Sequence, residues 1–131
     1  NDMRFAIISF LLITGTSSLR CFDNSNGALE IVDDPSLRFC QLFPHGGEKG
    51  EGRVNGIGAA NESLEKYTSL FQTYPHYQLR VMCLLESHNI SVLSPLFSSL
   101  QPDVEFRCLC ATDLCNSHTQ FGAFLSKNGK L

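Results

Sequence analysis

The chain has 131 residues, six cysteines, no tryptophan and a formal net charge of −3. That length argues for one domain. The scattered lysines and arginines, under a mildly acidic balance, leave no basic stripe and so exclude a nucleic-acid partner.

In chain order, Met3-Arg4 is followed by the apolar run Phe5 to Ile13, and then by small residues from Thr14 to Ser18. One positive charge, a short apolar stretch and a small-residue exit form the layout of a secretory signal peptide. Residues 1–18 are therefore predicted to be a leader, with Asn1 and Asp2 as two extra residues ahead of the methionine. The run is too short to span a bilayer. Export places the remaining chain in an oxidising compartment, where cysteines pair. Two sequons, Asn61-Glu62-Ser63 and Asn89-Ile90-Ser91, fit the same route as glycosylation candidates.

Strand-like runs cover Ala28 to Val32, Ser36 to Phe43, Tyr77 to Leu85 and Val104 to Cys110. Asp33-Asp34-Pro35 is a turn signal, and the first two runs are expected to pair as a hairpin across it. The segment Gly46 to Gly58 carries six of the ten glycines and is predicted to be a loop. After it, Leu64, Tyr67, Phe71 and Tyr74 recur at helical spacing, with Asn61 or Ser63 as cap and Pro75 as the stop. A second short helix is expected around Leu93, Leu96, Phe97 and Leu100, with Ser94 as cap and Pro95 in its first turn. These two apolar stripes have two readings: a contact surface, or a cover for a small sheet. From Ser117 to Leu131 the chain reads as a polar tail. It lacks the apolar end of a lipid-anchor signal, so a released protein with neither membrane span nor anchor is expected.

The cysteines are Cys21, Cys40, Cys83, Cys108, Cys110 and Cys115, and their number alone does not fix the connectivity. Cys108 and Cys110 share one face of a strand, where a bridge between them would be strained. Cys110 and Cys115 flank the turn-forming Ala111-Thr112-Asp113-Leu114, which suits a small local loop. Cys83 with Cys108 would join two neighbouring strands, and Cys21 with Cys40 remains. Chain entropy assigns these three bridges about 9 kcal/mol at most. That rivals the whole stability of a domain, about 5–15 kcal/mol. Asp113 in that turn is read as a structural acceptor of backbone N–H groups.

The run Cys108-Leu109-Cys110-Ala111-Thr112-Asp113-Leu114-Cys115-Asn116 reads C-x-C-x4-C-N. It resembles the C-terminal signature of three-finger domains. That superfamily includes snake toxins, lymphocyte-antigen-type proteins, TGF-β-type receptor ectodomains and the ET-type modules of secreted invertebrate proteins. The one-residue spacer between the first two cysteines is more like the receptor and ET-type versions. The resemblance implies a small, disulfide-rich, mainly β domain over residues 19–116: a three-finger-like antiparallel sheet with one or two short helices in the loops. It also implies that Asn116 bonds backbone groups and locks the base of the fingers, and the pairing above matches the family's pattern. The six cysteines and the long stretch from Cys40 to Cys83 depart from a toxin finger.

Motifs that would carry catalysis are missing from the sequence. His45, His76, His88 and His118 form no H-E-x-x-H, and His45-Gly46-Gly47 has no G-x-S-x-G elbow to serve. Cys108, Cys110, Cys115 and His118 offer a Cys3His zinc set, which oxidation would consume. Asp33-Asp34 reads as a turn and Glu62/Glu65 as a solvated helix face. No metal, cofactor or catalytic residue is expected. The chain reads as a secreted interaction module that binds an extracellular or cell-surface protein, with contacts at the tips Phe43 to Gly58 and Ser94 to Leu100. The alternatives are a small secreted hydrolase and a toxin-like channel or protease blocker.

Overall fold

The computed structural model describes residues 17–47, 50–58 and 62–130. Most of the expected leader, and Asn61, lie outside the described residues. The elements are β1 (Arg20–Asp23), β2 (Glu30–Asp33), β3 (Leu37–Phe43), β4 (Arg53–Gly58), α1 (Glu62–Glu65), β5 (Met82–His88), β6 (Asp103–Cys110) and α2 (Phe121–Gly129). Single 3-10 turns span Thr68–Phe71, Ile90–Val92 and Pro95–Phe97. Among the described residues no helix is long and apolar enough to cross a membrane.

The strands make two antiparallel sheets, β1-β2 and β4-β3-β6-β5. With three disulfides, the chain is a small, disulfide-rich, mainly β protein. Strand β3 lies between β4 and β6, so Phe39 through Phe43 are all buried and the usual in-out alternation disappears. Because both edges of β3 are occupied, the hairpin expected across Asp33-Asp34-Pro35 does not form. The turn is there, with Leu37 N–H donating to Asp34 O at 3.0 Å. Strand β2 pairs instead with β1, Cys21 facing Val32.

The glycine-rich loop expected to reach Gly58 is shorter than predicted, because Arg53–Gly58 is strand β4. Glycine serves this strand through its lack of bulk. A Cβ on Gly56 would stand 2.7 Å from Cδ2 of Leu37, so a larger residue here would have to push the Leu37 side chain aside. Strand β5 begins later than its sequence run, at Met82, and continues to His88.

Two buried clusters flank the four-stranded sheet. One holds Cys21, Cys40, Leu42, Val54, Cys108, Cys110, Cys115 and Phe124, so five of its eight members are half-cystines. The bridges thus form much of the interior rather than decorating it. The other cluster joins Phe39, Leu64 and Leu109, with Tyr67 and Phe71 packed on it and the Phe39 and Phe71 rings 5.2 Å apart. The first apolar stripe of the sequence therefore covers the sheet.

The segment read as a polar tail is a correction. Residues 121–129 form α2, whose Phe124 is fully buried in the cystine cluster. Asn128 donates to Cys115 O at 3.0 Å and Lys127 Nζ donates to Leu114 O at 2.8 Å. Arg80 closes the far end by donating to Asn128 O at 3.0 Å, a cation placed where the helix dipole favours it.

Candidate interaction surface

The surface is built from a rigid base outward. Bridges Cys21–Cys40, Cys83–Cys108 and Cys110–Cys115 are formed and no cysteine is free, so none is left as a thiolate for zinc. Asn116 is fully buried beside them. Its Oδ1 accepts the Phe22 N–H at 2.8 Å, and its Nδ2 donates to the carbonyls of Phe22, Gln41 and Asn55 at 3.0, 3.1 and 3.2 Å. One side chain thus ties β1, β3 and β4 together. In the loop closed by Cys110–Cys115, Leu114 adopts a left-handed φ of 55°, and its N–H donates to Arg20 O at 2.8 Å.

Asp113 lies in that loop, and its carboxylate is held by Arg20 of β1. It takes a forked pair of bonds from the Arg20 guanidinium, at 3.1 Å from Nε and 2.6 Å from the terminal nitrogen, and the Arg20 backbone N–H at 3.0 Å. The guanidinium bonds hold the Asp113 carboxyl below the usual carboxylate range. A depressed folded pKa contributes stability above the ordinary carboxylate value, and that stability is lost as pH falls through the folded value. Asp113→Asn is expected to lower the urea midpoint slightly at pH 7 and to flatten the acid limb below about pH 4. Both side chains are nearly half exposed, so solvent keeps the effect small. Urea melts across that pH range check it.

One face of the sheet carries a polar row that the sequence reading missed. Gln41 Nε2 donates to Asn55 Oδ1 at 2.6 Å, Arg107 donates to Gln41 Oε1 at 3.2 Å, and Arg107 pairs with Glu86 at 2.7 Å. Glu86 and Glu105 are cross-strand partners, and with His88 they bring one ligand-type atom each within 4.8 Å of the others. Arg107 on Glu86 and Arg53, 3.8 Å from Glu105, balance the two carboxylates. The sequence signal was alternation, Glu86-x-His88 on one strand and Glu105-x-Arg107 on the other, legible only once the register sets Glu86 opposite Glu105. The remaining histidines, His45, His76 and His118, are exposed and lie on separate segments.

The two tips expected to make contacts differ. In the β3–β4 hairpin Phe43 is buried, with Arg53 stacked 4.3 Å over its ring, and Gly52 N–H is bound to Thr119 O at 3.2 Å. The β5–β6 tip is the opposite. From Asn89 to Pro102 it carries no charged residue. Val92 and Leu93 are each 75% exposed and Leu96 is 88% exposed. The tip is nonetheless ordered by its own backbone. Leu93 N–H donates to Ile90 O at 3.1 Å, Phe97 N–H to Ser94 O at 3.0 Å, and Leu100 N–H to Phe97 O at 2.9 Å. Ser94 caps the second turn, its Oγ accepting from Leu96 N–H at 3.3 Å, with Pro95 in the first position as its sequence indicates. Asn89 stands exposed at the entrance to this tip, its side chain bonded to Ser91 Oγ. The second apolar stripe is thus a surface, not a cover.

A family model with the description "Family of unknown function (DUF5354)" matches residues 13–129. No curated protein matches the chain, and no solved structure does.

Proposed function

The chain belongs to that family of unknown function, and we propose that it is a secreted, non-catalytic binding module of three-finger type. It engages an extracellular or cell-surface protein through the apolar tip of the β5–β6 hairpin. The observation that carries this reading is the tip itself. Contiguous apolar side chains on a protein surface mark contact sites when they are ordered and numerous, whereas single ones do not. Three further features support it. Residues 1–18 have the layout of a leader. Three successive hairpins, β1–β2, β3–β4 and β5–β6, leave a base joined by cystines and Asn116. Such a base holds the tip in place before binding, which reduces the ordering cost of association.

The test uses the double variant Leu93→Asp/Leu96→Asp. Both side chains point into solvent, so its unfolding midpoint should stay within about 0.5 kcal/mol of the parent. Binding of the fluorescently labelled protein to intact cells of its source should be saturable and protease-sensitive. It should weaken at least about tenfold in the variant, the usual weight of a central apolar anchor. Unchanged binding by the variant, or binding indifferent to surface proteolysis, contradicts the proposal.

A further inference from the structure

Strand β5 forms one margin of the four-stranded sheet and, among the described residues, pairs with β6 alone. Such a margin is a template for another strand unless it is blunted by proline, lysine, a bulge or a cover. Met82-Cys83-Leu84-Leu85-Glu86-Ser87-His88 has no proline and no lysine, and its register with β6 is unbroken.

The bridge shows which backbone groups are free. Cys83 and Cys108 face each other directly, with Cα atoms 4.0 Å apart. Antiparallel partners that close are of the kind that exchange no backbone hydrogen bonds. Cys83 therefore turns its N–H and C=O away from β6, and by the two-residue period so do Leu85 and Ser87. These three positions are symmetric about Leu85, whose side chain is 73% exposed.

We infer that β5 is a self-association edge: two copies of the chain pair antiparallel through β5 about a two-fold axis at Leu85. In this register Leu85 faces Leu85 of the second copy, and Cys83 faces Ser87 of the second copy. All three outward residues then exchange both of their backbone bonds. Between them Leu84 faces Glu86 of the second copy and Met82 faces His88 of the second copy, so no like charges oppose each other. Sliding the pairing by one step toward the tip would set Glu86 against Glu86. Each Glu86 also remains neutralised by Arg107 of its own chain, 2.7 Å away. The occupant is a second copy because the strand supplies its own complement in hydrogen bonding, charge and apolar contact, as an isologous interface requires. The edge lies beside the apolar tip rather than on it, so this inference stands whether or not the binding-module reading does.

The experiment is sedimentation of the oxidised chain with its three bridges intact, from about 1 to about 100 µM, the range of modest interfaces. The parent should move from the mass of one chain to that of two. Ser87→Pro removes an outward N–H and leaves the ladder to β6 intact, as proline does on a free strand edge. Leu85→Lys places two charges across the axis. Both should keep the mass of one chain throughout, while Ser87→Ala, which retains the N–H, dimerises like the parent. A second measurement needs no variant: on dilution, the Leu85 and Ser87 amides of the parent should lose hydrogen-exchange protection while the Leu84 and Glu86 amides keep theirs. A parent with the mass of one chain at every concentration overturns the inference. So does a dimer that survives Ser87→Pro, or one whose dilution leaves all four amides unchanged.

Discussion

Asn116→Ala is expected to lower the unfolding free energy by about 4 kcal/mol. The side chain is fully buried and serves four backbone groups on three strands. Alanine leaves the Phe22 N–H and C=O without this partner, whereas Gln41 and Asn55, opposite each other in β3 and β4, keep their ladder bonds and lose only a second donor. Each buried polar group left without a partner costs about 1–3 kcal/mol, and the donor Phe22 N–H is the costliest to strand. Asn116→Asp separates the two halves of the role. The carboxylate still accepts from Phe22 N–H, but it sets a charge against the carbonyls of Phe22, Gln41 and Asn55 and has no N–H to offer them. Aspartate should therefore be no better than alanine at neutral pH. Urea midpoints of the oxidised proteins check both, and a loss below about 1 kcal/mol for Asn116→Ala would show that the knot is ornamental.

Removing the Cys21–Cys40 bridge by the pair Cys21→Ala/Cys40→Ala should cost about 4 kcal/mol. With a sequence separation of 19, chain entropy accounts for about 3 kcal/mol of that. Both half-cystines are fully buried in the larger cluster, so the lost sulfur packing adds about 1 kcal/mol. The Cys110–Cys115 bridge closes a loop of separation 5, worth about 2 kcal/mol of chain entropy, and its half-cystines are buried in the same cluster, so Cys110→Ala/Cys115→Ala should cost less, about 3 kcal/mol. The order of the two losses, measured side by side in urea, tests the account better than either size. A core that did not depend on its bridges would show neither.

How much of this was legible in the sequence depended on whether a local pattern stood for a local structure. The cysteine spacings limited the pairing, because bridging demands particular separations and strand faces. Ser94-Pro95 announced its turn because a cap and a first-turn proline act within a few residues. Strand β4 stayed hidden because glycine was read as freedom, whereas Gly56 sits in a paired strand with Leu37 packed closely on it. The partner of β2 stayed hidden because it depends on which edges of β3 are already taken, a fact about distant strands. Helix α2 was legible in principle: Phe121, Phe124, Leu125 and Asn128 follow helical spacing. They were outweighed by the polar composition around them, and one of the two buried members of that face, Asn128, is polar. The candidate surface divided likewise. Both apolar stripes were visible, but only the packing of Leu64, Tyr67 and Phe71 around Phe39 decided which one is interior.

The central claim is that covalent bridges, closed over Asn116, take the place of a larger apolar interior and hold the strands in register. Thermal unfolding followed by near-ultraviolet circular dichroism, on the oxidised chain and on the same chain after complete reduction and alkylation, tests it directly. A single cooperative transition in the first and no transition in the second is the predicted result. A reduced chain that keeps both its near-ultraviolet signal and its melting temperature would contradict the account.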